Sequence, residues 1–169
     1  GSIASIEARL IPAFSGQGAA TNWTTIANSP SGGSFTGSLT GTGGWYNLEI
    51  RSKNGTAIIG QTVVEKVGIG EVFVVAGQSN AEGNANYPGA VRGAIDDRVS
   101  AIDYVNYFLD EEFLPFDYVH DGDYMRNAPY NPVPWYWARL GDLIVNRFNV
   151  PVCFYGAALG SSPVDWWSR

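Results

Sequence analysis

Cysteine and histidine each occur once in this 169-residue chain, as Cys153 and His120. A lone cysteine excludes an internal disulfide framework and a thiolate metal cluster. Within "VPVCFYGAA" it reads as a small buried hydrophobe, and it leaves the compartment open. Lysine is almost as scarce, with Lys53 and Lys66 alone. Ten basic residues against sixteen acidic ones give a net charge of −6, and no basic stripe is present. That argues against a nucleic-acid or anionic-membrane partner. No apolar stretch approaches the length of a membrane span. The sequence holds no signal peptide, and Gly1-Ser2 has the look of a cloning remnant, so targeting is left open.

Apolar residues are plentiful at 45%, enough for a real core in one domain, or in a small domain plus part of another. Residues 1–70 read as β-rich. "SIEARLIPAF" opens with short alternation, and Tyr46, Leu48 and Ile50 alternate with polar partners in "YNLEIRS". Asn54-Gly55 supplies the positive-φ pair of a tight hairpin, with "TAIIGQTVVEKV" as the return strand. Between them, "SPSGGSFTGSLTGTGG" predicts loops and short edge strands or a flexible linker. The expectation is a small antiparallel sheet or sandwich. Asn22-Trp-Thr24 and Asn54-Gly-Thr56 match the glycosylation sequon, a motif too common to carry weight by itself.

The pattern changes in residues 71–169. "VFVVAG", at Val72 to Gly77, is an apolar run with the character of a strand buried on both faces. A polar and aromatic stretch follows from about Gln78 to Pro132. In "PWYWARLGDLIVNRF", Trp137, Leu140, Ile144 and Phe148 recur at helical spacing, with Pro134 suited to the first turn and Asn149 to the stop. "VPVCFYGAA" is then a second buried strand. Strand, crossover, helix and strand make a right-handed βαβ unit with two parallel strands. Both polar breaks, Gln78-Ser79-Asn80 and Gly160-Ser161-Ser162, then fall at the carboxyl edge of one sheet, where α/β proteins bind ligands.

A serine nucleophile needs a base and a pair of donors for the developing oxyanion. Ser79 offers a hydroxyl and its own backbone N–H. Gly160, with no side chain, lets a second N–H come close. "GQSNA" is not the G-x-S-x-G elbow, which argues against an ordinary α/β-hydrolase. By spacing alone, a polar loop after a strand is the better explanation of a lone serine such as Ser79.

"VGIGEVFVVAGQSNAEG" resembles the first block of the SGNH hydrolase superfamily. More narrowly, it is similar to the sialate O-acetylesterase-like carbohydrate esterases, which carry Gly-Gln-Ser-Asn after their first strand. "NVPVCFYGAALGSSPVDWW" resembles the second block, a glycine-rich turn followed by Trp. The likeness covers about residues 66–169. It implies an α/β fold, the first βαβ part of an SGNH or flavodoxin-like parallel sheet, preceded by the antiparallel region. It implies Ser79 as nucleophile and first oxyanion donor and Gly160 as second donor. Gln78, Asn80, Ser161 and Trp166 become substrate contacts, in a secreted or periplasmic esterase of acetylated carbohydrates without metal or cofactor.

The family also carries a third block and a late Asp-x-x-His, and neither follows Gly160 here, so the sequence reads as the first part of an esterase. Asp117-Tyr-Val-His120 has the right spacing but precedes the second block. Chain order therefore favours a pocket or structural role for His120 over that of catalytic base. Asp121-Gly-Asp123 lacks the spacing of a calcium loop. Asp96, Asp97 and Asp103 read as solvated charges, and most aromatics between Tyr104 and Trp135 as core. A competing function is a non-catalytic glycan-binding β module with a vestigial or truncated hydrolase segment. An open edge in the parallel sheet also predicts self-association.

Overall fold

The computed structural model describes residues 2–83, 93–102, 116–118 and 135–168. Its architecture is mixed α/β, an antiparallel sheet and a mainly parallel one with few helices. They lie in two compact units, residues 1–69 and 70–169.

In the first unit, β1 (Ser5–Pro12), β2 (Thr24–Asn28), β3 (Gly44–Asn54) and β4 (Ala57–Ile69) form an antiparallel sheet of order β2-β1-β3-β4. The period-2 pattern of β1 sends Ile6, Ala8 and Leu10 into the core, leaving Glu7 and Arg9 on the other face. Pairing with β3 sets Glu7 opposite Arg51 and Arg9 opposite Glu49, so opposite charges meet across the strands. The hairpin turn is shifted by one residue from the sequence expectation. Asn54 ends β3, and Gly55, at φ +59°, takes the first turn position before Thr56. One positive-φ residue suffices there, as in a type II′ turn.

The Gly/Ser/Thr-rich stretch is neither a linker nor a strand. Residues 29–43 lack regular structure yet return to the sheet, where Gly37 lies against Ile26 and Gly41 against Leu10 and Ile69. A Cβ at either glycine would overlap those neighbours. Tyr46 is buried, and its hydroxyl donates to the Thr42 carbonyl (2.7 Å) while accepting the Ala19 N–H (3.1 Å). One phenol thus holds two loops on the sheet.

In the second unit, β5 (Glu71–Gly77), β6 (Val99–Ile102), β7 (Phe116–Tyr118) and β8 (Val152–Ala158) form a sheet of order β5-β8-β6-β7. β5 and β8 are adjacent and parallel, as are β6 and β8, whereas β7 runs antiparallel at the far edge. The apolar run of β5 is not buried on both faces. Among the described residues β5 is an edge strand, with Val72 62% and Val74 70% exposed. The interior position belongs to β8, whose Val152, Phe154 and Ala158 are buried.

α2 (Trp135–Phe148) packs over β6 and β8. Its buried stripe is centred on Ala138, Gly141, Asp142 and Val145, with Trp137, Leu140 and Ile144 on its flanks. Phe148, expected on that stripe, is 63% exposed, because at the last turn of the helix the stripe has ended. Gly141 sets the approach: a Cβ there would meet both Val99 methyls and the Phe154 ring. Asn149 stops the helix at φ +56°, its N–H on the Val145 carbonyl (2.8 Å). Pro134 lies outside the described residues.

β6 lies within the stretch whose sequence shows no strand pattern, and side chains from elsewhere fix its entry. Asp142, buried in the helix, accepts the backbone N–H groups of Ile95 and Asp96, both at 3.0 Å from Oδ1. Asp96 is not a solvated charge. Its carboxylate takes Arg98 Nε (2.8 Å) and Nη2 (2.7 Å), while Arg98 Nη1 donates to Asn149 (2.6 Å). Arg98's hydrogen bond holds the Asp96 carboxyl below its ordinary value, against a smaller opposing effect of burial. Asp103 lies outside the described residues.

Candidate active site

The β5–β8 register ends at the pair Gly77–Ala158. Ser79 stands two residues beyond Gly77, and Gly160 two beyond Ala158, at the same edge of the sheet. The loops are tied together there: Leu159 N–H donates to the Gly77 carbonyl (3.0 Å). Ser162 is buried, its hydroxyl donating to the Leu159 carbonyl at 2.7 Å and lying 3.4 Å from that of Gly77. The sequence resemblance offers Ser161 as a contact residue. Ser161 is exposed at φ +64°, and its neighbour Ser162 is the one that fixes the turn.

Ser79 opens the single-turn helix α1 (Ser79–Glu82), capped by Gln78. So short a helix has few bonds of its own. The Gln78 carbonyl takes the N–H groups of Ala81 (2.8 Å) and Glu82 (2.9 Å), and the Ser79 carbonyl takes that of Gly83 (2.9 Å). Two indoles from the start of α2 complete it. Trp135 Nε1 donates to the Asn80 carbonyl (2.9 Å) and Trp137 Nε1 to the Ala81 carbonyl (3.0 Å). Trp135 and Trp137, read from sequence as core aromatics, are therefore braces for the segment that carries Ser79. No sequence signal distinguishes that role from burial.

Gln78, Ser79 and Asn80 are all exposed, and among the described residues the Ser79 hydroxyl has no hydrogen-bond partner. Trp166, in the 3-10 turn Val164–Ser168, is 61% exposed. No sequence motif points to Glu82. Its Oε2 lies 2.6 Å from where a Cβ on Gly160 would sit. A side chain at Gly160 would therefore move the Glu82 carboxylate, the end of a flexible side chain, while no backbone atom stands in its way. Burial pushes the Cys153 thiol up from its ordinary value, outweighing a hydrogen bond to Ser100, so this half-buried cysteine is no ready thiolate. No group of three His, Cys, Asp or Glu side chains converges among the described residues. His120 and Asp121-Gly-Asp123 lie outside them.

No family model matches the chain, and no curated protein matches it. Among solved structures it is similar to a carbohydrate acetylesterase from Xanthomonas citri, at 17% identity and a TM-score of 0.44. The likeness covers 98% of this chain, which spans 37% of the length of that protein.

Proposed function

We propose that this chain carries the nucleophile segment of a serine ester hydrolase acting on acetylated carbohydrates. The observation behind it is the placement of Ser79 and Gly160, each two residues past the end of adjacent, parallel, in-register strands. In this reading Ser79 Oγ attacks the acetyl carbonyl as a base removes its proton. The N–H groups of Ser79 and Gly160 hold the tetrahedral oxyanion. Collapse breaks the bond to the sugar oxygen, which takes the proton held by the base and leaves as a hydroxyl, and water then hydrolyses the acetyl-serine to acetate and free serine. Gln78, Asn80, Ser161 and Trp166, exposed around this edge, contact the sugar. The base comes from outside the described residues.

Turnover of p-nitrophenyl acetate tests it in two chains. The 169-residue chain is expected to stay near background. A chain continued through an Asp-x-x-His block is expected to turn over, and to lose roughly four to six orders of magnitude on Ser79→Ala. Gly160→Ala in that longer chain keeps the backbone N–H, so it should cost far less than Ser79→Ala, and Glu82→Ala should recover whatever part of the loss comes from the displaced carboxylate. Ser79-independent turnover by the longer chain overturns the reading. Robust Ser79-dependent turnover by the shorter one places the base within it, with His120→Ala as the deciding variant.

A further inference from the structure

We infer that the amino-terminal sheet carries an anion-binding cleft of its own, which grips the carboxylate of a sugar acid through Arg9. The inference concerns the first unit alone and is independent of the esterase reading. On the face opposite Ile6, Ala8 and Leu10, cross-strand pairing sets Arg9 and Arg51 as diagonal neighbours. β4 extends that face, with Gln61 opposite Arg51 and Val63 opposite Glu49. Trp23 lies against both guanidinium groups, its ring centroid 4.0 Å from Arg51 Cζ and 4.6 Å from Arg9 Cζ. Stacking of this kind occupies the flat face of a guanidinium and leaves its N–H edge available. The indole is therefore a brace for the arginines. The segment carrying it is itself pinned. The Thr21 hydroxyl accepts the Leu10 N–H (2.8 Å), and Thr21 N–H donates back to the Leu10 carbonyl (2.9 Å).

A cavity of about 460 Å³ opens there, lined by Arg9, Trp23, Glu49, Arg51, Gln61 and Val63 among others. That volume is within the usual range for small-ligand pockets. Arg9 gives only Nε to Glu49 Oε2 (2.6 Å), and its two terminal nitrogens have no partner among the described residues. Arg51 turns Nε and Nη2 to Glu7, which also takes Lys53 Nζ (3.1 Å). Three cations thus face two carboxylates, and the cluster keeps a surplus of one positive charge.

The surplus selects a monoanion, and the unpaired end of Arg9 selects its shape. A carboxylate accepts two parallel N–H groups from such a fork, whereas a neutral hydroxyl does not. The other polar groups of the wall call for hydroxyls. Glu49 Oε1 has no partner among the described residues and only accepts, while the Gln61 amide both donates and accepts. A bare carboxylate would leave both unused and would meet the Glu49 charge without relief. A ring that carries hydroxyls beside its carboxylate satisfies all three groups, and that is the chemistry of a uronic acid. Glu49 on Nε and Trp23 on the flat face hold Arg9 before a ligand arrives, which lowers the ordering cost of binding.

The test is a ¹H–¹⁵N NMR titration of the 169-residue chain with the methyl glycosides of galacturonic and glucuronic acid. The matching methyl galactoside and glucoside, with a hydroxymethyl group in place of the carboxylate, are the neutral comparisons. Gluconate is the open-chain hydroxy acid. The Trp23 indole signal is assigned by its loss in Trp23→Phe. The expected result is a saturable shift of that signal with at least one uronide, weaker at high salt, and none with its neutral counterpart. Arg9→Lys keeps the charge but lacks the fork and should weaken binding about tenfold, while Leu143→Ala in the second unit leaves it unchanged. The inference is overturned if neither uronide shifts the indole, if a neutral glycoside shifts it as much, if gluconate binds as tightly, or if Arg9→Lys has no effect. The ligand comparisons use the unaltered chain and decide even where a variant does not fold. Ester turnover plays no part in the readout, so this result and the fate of the esterase reading are separable.

Discussion

Glu7 shows how a single side chain can organise a face of a sheet. It accepts Arg51 Nε (2.7 Å) and Lys53 Nζ (3.1 Å). The Arg51 hydrogen bond, followed by that of Lys53, holds its carboxyl below the ordinary value of 4.5. The sign of the linkage follows. A carboxyl whose pKa is lower in the folded state stabilises the fold above the unfolded value, and that stability is lost as pH falls through the folded one. The first unit should therefore weaken with acid below about pH 4.5. Glu7→Gln should lower its stability at neutral pH and flatten the pH dependence below that point. Urea unfolding followed at several pH values measures both, and a variant with unchanged slope would show that the pairing carries no linkage.

At the scale of elements, α2 lies where it does because Gly141 has no side chain. Replacing a helical glycine by alanine ordinarily helps a helix by about 1 kcal/mol. Here the added methyl would strike Val99 and the Phe154 ring, which lie in the core beneath it. Overpacking of this kind costs roughly 1–3 kcal/mol, so Gly141→Ala should be destabilising on balance. Val99→Ala opens space, and in the double variant the effect of Gly141→Ala should shrink or change sign. A denaturant-unfolding double-mutant cycle gives the coupling, and strictly additive effects would show that the helix has shifted instead. The same element places the candidate site, because the indoles of Trp135 and Trp137 hold the carbonyls of α1.

At the scale of the whole molecule, the exposed apolar residues of β5 bear on association. Val72 and Val74 are exposed on a strand that, among the described residues, stands at the edge of its sheet. Unpaired edges with apolar side chains recruit further strands. Concentration-dependent self-association is expected by light scattering, and Val74→Lys should reduce it by placing a charge on that strand. A monomer at every concentration, before and after the substitution, would refute the expectation.

Local chemistry accounts for what was legible in the sequence. The alternation in "SIEARLIP", the return strand after Gly55 and the stop at Asn149 depend on neighbours along the chain, so a short window contains their cause. The parallel pairing of β5 with β8 was legible because a helix between two apolar runs leaves few ways to reconnect them. That pairing in turn puts Ser79 and Gly160 at one edge. Contacts between distant residues decided the rest. An apolar run such as "VFVVA" looks the same at the centre of a sheet and at its edge, and only the order β5-β8-β6-β7 assigns it to the edge. Asp96 reads as a solvated charge until Arg98 folds back onto it, and Asp142 acquires its role only when the backbone of Ile95 and Asp96 arrives to be bound. Glu82 beside Gly160, and Trp23 against Arg9 and Arg51, likewise join residues far apart in sequence. Sequence fixes what each segment prefers locally; which segments meet, and so which polar groups share a site, is settled only when the chain closes on itself.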